Sequence, residues 1–242
     1  MGRGISAALR KVFLFEMKYE NIKEAVFVDR PNRFIANVLI DGKPEVCHVK
    51  NTGRCKELLL PGAEIYTQHS SSPGRKTQWD LIAVQKGDRL VNMDASAPNA
   101  VFKEWLQSGG MGFVPSRIKP EYTHGDSRFD FYFEHGSVRA FAEIKGVTLE
   151  KDNVVSFPDA PTLRGIKHLR GLMCCVAEGY DAYVVFIVQM KQVDHFEPAW
   201  DKHPQFGEVL REAANAGVQI LAFDCDVTPD SLTVAEAVPV II

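Results

Sequence analysis

The chain has 242 residues, enough for one large domain or two small ones. Its 45% hydrophobic and 24% charged content is that of an ordinary soluble protein, and its longest apolar run, 182–188, is too short to span a membrane. Five cysteines without a C-x-x-C pair and seven histidines without an H-x(3–5)-H pair argue against a disulfide framework and a zinc site, so a reducing cytoplasm is the expected home.

The net charge of −3 does not announce a nucleic-acid binder, but its distribution is uneven. From Asp194 onward nine acids face two bases (Lys202 and Arg211), a net of −7, whereas residues 1–193 carry 26 bases against 22 acids, a net of +4. A basic working surface ahead of an acidic end fits that asymmetry, as does simple scatter.

Residues 1–16 are basic and mildly apolar, and lack the apolar core and cleavage site of a secretory signal. Met1-Gly2-x-x-x-Ser6 fits a myristoylation pattern. Met17 is read as the start proper, with residues 1–16 an upstream extension. From Lys23 to Met93 short β-rich runs follow one another: 25–28, 34–40, 45–50, 63–69 and 81–84. Turn residues separate them, Asp41-Gly42 being a strong hairpin signal. Five short strands over residues 17–94 predict a small barrel, with the oligonucleotide-binding (OB) fold one candidate. Between strands, Leu58 to Leu60 are expected to plug the barrel end. Arg30, Arg33, Arg54 and Lys56, with Lys50, Arg75 and Lys76, are candidate phosphate contacts; a solvated rim has the same composition.

A second domain is expected over residues 95–242. Residues 94–110 read as a helix with Ala100, Val101, Trp105 and Leu106 on its apolar side. Next come two strands joined at His135-Gly136-Ser137. Alternation puts Phe129, Phe131 and Phe133 on one face of the first, and Arg128, Asp130 and Tyr132 on the other. On the second strand Glu143 and Lys145 share a face. An acid on one strand thus meets an acid and a lysine on its neighbour, and two converging carboxylates call for a hard cation. Asp130, Glu143 and the Ile144 carbonyl would ligate Mg²⁺, with Mn²⁺ as substitute, and Lys145 would orient a bound water or offset phosphate charge. An E-x-K pair on a strand is also a common solvated motif.

Thr162 is placed to cap a helix over 163–178. Its wheel groups Leu163, Ile166, Leu169, Met173, Val176 and Ala177 on one side and Arg164, Lys167 and His168 on the other, over small Gly171 and Cys175. That cationic trio suits a nucleic-acid backbone, as does Arg128 beside Asp130; a charged triplet is also what a solvated face looks like. Residues 181–190 read as a strand buried on both faces, 204–216 as a helix and 218–223 as a strand, with the tail 234–242 left open. The class is α/β, a mixed sheet covered on both sides.

With these residues in view, the chain resembles the sugar fermentation stimulation protein A family of bacteria and archaea. The matching stretches are P-N-R-F (31–34), N-T-G-R-C-K-E-L-L-L-P-G (51–62), R-F-D-F (128–131), E-I-K-G-V-T-L (143–149) and F-P-D-A-P-T-L-R-G-I-K-H-L (157–169). The resemblance implies an N-terminal OB-like domain followed by a domain of the PD-(D/E)xK nuclease fold, DNA binding, and a regulatory role in sugar (maltose) metabolism. It carries the nuclease core onto Asp130, Glu143 and Lys145, with Lys167 and His168 facing it. Phe129 stands where the nuclease signature has proline. The rival readings are a Mg²⁺-dependent endonuclease and a regulator binding a small phosphorylated ligand. No membrane partner is expected, and the oligomeric state stays open, a homodimer included.

Overall fold

The computed structural model describes residues 17–51, 53–71 and 74–242. The extension and the myristoylation pattern at residues 1–16 lie outside the described residues.

Five strands close a barrel: β2 (Ile22–Asn32), β3 (Ile35–Ile40), β4 (Lys43–Val49), β5 (Glu64–His69) and β6 (Trp79–Lys86). β2 pairs with β3 and β5, β3 with β4 and β5 with β6. β4 meets β6 in parallel from Cys47↔Trp79 to Val49↔Leu81, which shuts the cylinder. The β3–β4 hairpin turns on Asp41 (φ 51°) and Gly42 (φ 74°), where both positive angles match the twist of the strands they join. Alternate residues point inward: Ala25, Phe27, Ala36, Val38, Ile40, Cys47, Val49, Ile65 and Leu81 are buried. Leu58 and Leu59 plug the end, but Leu60 is 55% exposed and takes no part. β7 (Arg89–Asn92), a strand the sequence pattern did not show, extends the barrel sheet beside β6.

The second unit is a curled seven-stranded mixed sheet. It contains β1 (Met17–Lys18), β8 (Arg117–His124), β9 (Ser127–His135), β10 (Val138–Val147), β13 (Asp181–Val188), β15 (Gln219–Thr228) and β16 (Ser231–Ala237), in the order β1-β16-β15-β13-β10-β9-β8. The parallel centre β10-β13-β15 is covered on both faces, which is why β13 is almost wholly apolar. Helix α1 (Ala97–Gln107) packs on one face through Val101, Phe102 and Leu106; Ala100 and Trp105, expected there, are only partly buried. Helices α2 (Leu163–Ala177) and α3 (Pro204–Asn215) contribute to the core on the other. A small sheet of β11 (Leu149–Lys151), β12 (Val154–Phe157) and β14 (His195–Pro198) completes the unit, and the C-terminal tail crosses it through a Phe196↔Val240 bridge. Among the described residues no helix is long and apolar enough to cross a membrane.

Candidate metal and nucleic-acid site

β9 and β10 pair from Val138↔His135 to Ala142↔Phe131, and the pairing stops where Asp130 would face Glu143. The side-chain alternation breaks at the same place. Phe131 and Phe133 pack in the α1-side core, whereas Phe129 packs with Tyr132 and Phe141 in the α2-side core. The three phenylalanines therefore do not share a face as the pattern predicted. The irregularity frees Asp130 from the ladder and lets its carboxylate take the place of a backbone acceptor. Oδ2 accepts the Ile144 N–H at 2.7 Å, and Oδ1 accepts from Asn99 Nδ2 of α1 at 3.0 Å. In an extended strand the N–H and C=O of one residue point to the same edge, so the Ile144 carbonyl faces the same opening.

Glu143 is 2% exposed and lies on the α2 side of β10 with Phe141 and Lys145. Its Oε1 accepts from Lys145 Nζ at 2.5 Å and pairs with His168 Nδ1 of α2. Its Oε2 is buried and has no hydrogen-bond partner among the described residues. A buried carboxylate oxygen left bare is costly unless something of opposite charge meets it. Burial pushes Glu143 upward, but the His168 hydrogen bond and the Lys145 charge outweigh it and hold the carboxyl below the usual range. Asp130 is displaced the other way: burial first, then the Glu143 charge, raise it against the Ile144 N–H, Lys145 and Asn99. Two neighbouring carboxylates driven apart in acidity, one with a bare oxygen, form an all-oxygen donor set that fits a hard divalent cation. No set of three His, Cys, Asp or Glu side chains among the described residues gathers around one point, so an ion here would lean on two carboxylates, a carbonyl and water.

The helix side differs from the wheel. His168 is 5% exposed and turned into Glu143, while Arg164 and Lys167 are exposed to solvent. Of the two helix residues that the resemblance set facing the carboxylates, His168 makes contact with Glu143 and Lys167 is exposed. Leu163 is 77% exposed, and Leu172, which the wheel left off the apolar side, is fully buried. Gly171 lets α2 sit close against β9: a Cβ there would lie 2.7 Å from Ser127 Oγ and 3.0 Å from Phe129 Cζ. Arg128 is exposed and pairs with Glu121 at 2.9 Å.

On the barrel side the guanidinium of Arg30 donates to four carbonyls, those of Arg33, Asn51, Gly53 and Arg54, at 2.6–2.9 Å. It holds Asn51, Gly53 and Arg54 around one guanidinium. Lys50 and Arg75 are likewise spent on Asp80 and, for Lys50, Asp94. Arg33, Arg54 and Lys56 are exposed, with no carboxylate partner among the described residues, and all three line a cleft of about 640 Å³ against Phe157–Thr162. Asn99 and Asp159 escaped the sequence reading. Asn99 opens α1 with no pattern to mark it. Asp159, whose Oδ2 accepts the Arg54 N–H at 3.2 Å, ties the barrel loop to the second unit across a sequence gap that nothing local reveals.

A small closed β-barrel joined to a curled mixed sheet, with a buried carboxylate–lysine–histidine cluster where two strands part, defines a two-domain OB-containing protein. Family models match both parts: residues 28–93 the SfsA N-terminal OB domain, and residues 96–231 the sugar fermentation stimulation protein RE domain. The chain belongs to the sugar fermentation stimulation protein family. Relatives named sugar fermentation stimulation protein homolog include those of Desulfitobacterium hafniense (55% identical over 224 residues, 93% of this chain and 98% of that one) and Clostridium beijerinckii (54% over 226 residues, 93% and 100%). A solved structure of SfsA from Pyrococcus furiosus in complex with Ca²⁺ matches with a TM-score of 0.85 at 26% identity, over 94% of this chain and 99% of that one.

Proposed function

We propose that this protein binds DNA and hydrolyses its phosphodiester bonds with Mg²⁺, the second unit being a nuclease-like domain of the PD-(D/E)xK kind. The observation that carries the reading is the bare, buried Oε2 of Glu143 beside Asp130. A domain that only held DNA would gain nothing from two carboxylates repelling phosphate. The Pyrococcus furiosus relative in complex with Ca²⁺ supports a hard cation in this family.

Asp130, Glu143 and the Ile144 carbonyl would hold the ion. A cation bound there supplies Lewis acidity, lowering the pKa of water and offsetting charge on the phosphate. The chain's own groups do the rest. Asn99 and the Ile144 N–H fix the Asp130 carboxylate, and His168 and Lys145 share Oε1 of Glu143, which keeps it ionised and turns Oε2 outward from the pair. Lys145, 15% exposed at its side chain, keeps one face toward solvent where its charge can meet a phosphate oxygen. Exposed Arg33, Arg54, Lys56, Arg164 and Lys167 supply the backbone attraction.

The test is incubation of purified protein with single-stranded, duplex and flap DNA, with Mg²⁺, with Mn²⁺ and without metal. Metal-dependent cutting that Glu143→Ala and Lys145→Ala each reduce at least about 100-fold is expected, the scale of losing one preorganised electrostatic group. Salt-sensitive binding without cutting would leave a DNA-binding regulator. Salt-independent behaviour would count against DNA altogether and favour a small phosphorylated ligand.

A further inference from the structure

We infer that the cleft between the barrel and the second unit is a seat for single-stranded DNA, feeding the strand toward the carboxylate pair. This deepens the nuclease reading and rests on it for the identity of the ligand as nucleic acid. One wall is made by two barrel connections, the β2–β3 turn with Arg33 and the β4–β5 loop with Arg54 and Lys56; the other is the Phe157–Thr162 segment leading into α2. Arg30 lies behind the loop and adds its charge, although all four of its Nη hydrogens are committed to carbonyls. Four cations thus stand against one carboxylate, in a chain whose net charge is −3. That carboxylate, Asp159, is engaged with the Arg54 N–H and packed on Gly53, so close that a Cβ on Gly53 would lie 2.3 Å from its Oδ2. Asp159 holds the walls together rather than opposing the ligand.

The apolar groups at the cleft decide between a single strand and a duplex. Phe34 is 51% exposed beside Arg33, whose guanidinium lies 5.9 Å from its ring, and Leu163 is 77% exposed immediately after Thr162. An exposed aromatic ring next in the chain to a basic cleft's cation is what an unpaired base stacks on, while its phosphates meet the cations. A duplex turns its bases inward and offers none to a concave cleft of about 640 Å³. The placement also fits. The start of α2 at the cleft lies five residues, about 7.5 Å of axial rise, before His168, which touches Glu143, so the cleft and the carboxylates are neighbours along one helix.

The experiment is fluorescence anisotropy of labelled oligothymidylate, and of the same oligomer annealed to its complement, in EDTA so that no cutting intervenes. Inorganic pyrophosphate serves as competitor. The wild type is expected to bind the single strand more tightly than the duplex. Arg33→Ala/Arg54→Ala/Lys56→Ala should weaken single-strand binding at least tenfold and lower the slope of log K against log salt by about 2, three contacts at ~0.7 each. Phe34→Ala, which leaves every charge in place, should weaken single-strand binding and leave the salt slope alone. These side chains are exposed, and unchanged melting temperatures would confirm intact folding. Equal binding by wild type and triple variant, equal loss on duplex and single strand, or displacement by pyrophosphate at micromolar concentration would each overturn the proposal. The two readings separate cleanly. Cutting that survives in the triple variant with unchanged KM rejects the cleft and keeps the nuclease, whereas single-strand binding lost in the triple variant of a protein that never cuts keeps the cleft and rejects the nuclease.

Discussion

His168 and Asn99 do similar work from opposite faces of the sheet. Each comes from a helix, and each fixes one carboxylate that the strands alone would leave to rotate. Groups that orient a metal ligand set affinity nearly as much as the ligand does, with losses of about 10- to 100-fold when they are removed. We expect His168→Ala to weaken Mg²⁺ or Ca²⁺ binding by that factor in calorimetry, and His168→Gln, which can still donate to Glu143, to recover part of it. Unchanged affinity in the alanine variant would mean that the imidazole only fills space beside Phe129. At this scale the sequence was legible where the chemistry repeats a pattern: Asp130, Glu143 and Lys145 follow from two strands and one turn. Asn99 and Asp159 were not, because each depends on which distant element happens to lie opposite; the inward turn of His168 came from the family resemblance and not from the helix wheel, which put it on the cationic side.

Helix α2 shows why the wheel misled. Leu163 meets solvent despite its place in the apolar stripe, and the face that docks keeps the expected Ile166 and Leu169 but also takes in Gly165, His168, Leu172 and Cys175. That face is small at its middle, where Gly171 closes on Ser127 and Phe129. Alanine in place of a mid-helix glycine ordinarily gains about 0.5–1 kcal/mol. Here the added methyl has 2.7 Å to Ser127 Oγ and 3.0 Å to a core ring, so Gly171→Ala is expected to destabilise by about 1–3 kcal/mol in urea unfolding, as overpacking does. Ser127→Ala made in the same chain should restore part of that loss. A more stable single variant would show that α2 shifts freely on β9. The strand β8 was invisible for a related reason. It is an edge strand with no clean alternation, broken by Pro120 and by Glu121 at φ 52°, and it exists because β9 offers it a partner.

At the scale of the whole molecule the barrel and the sheet are held in register by a polar junction rather than an apolar seam alone. Gln189, just after β13, donates to Asn92 Oδ1 at 2.8 Å and to the Asp94 carbonyl at 3.0 Å, and Asn92 donates to the Tyr19 hydroxyl. Lys50 of the barrel bridges Asp94 at 3.3 Å and Asp80 at 3.5 Å, and Arg75 and His48 also contact Asp80. Burial alone would raise the Asp80 carboxyl, but the Arg75 hydrogen bond and the Lys50 charge bring it below its ordinary value. A carboxyl depressed on folding adds stability that is complete above the unfolded pKa, about 3.9, and is lost as pH falls through the lower folded value. Melting temperatures measured from pH 3 to pH 8 should therefore show Asp80→Asn well below wild type at neutral pH, with the gap narrowing as pH falls below about 4, because the wild type begins there to forfeit what the variant never had. A gap that stays constant across the range would show that the junction owes nothing to the Asp80 charge.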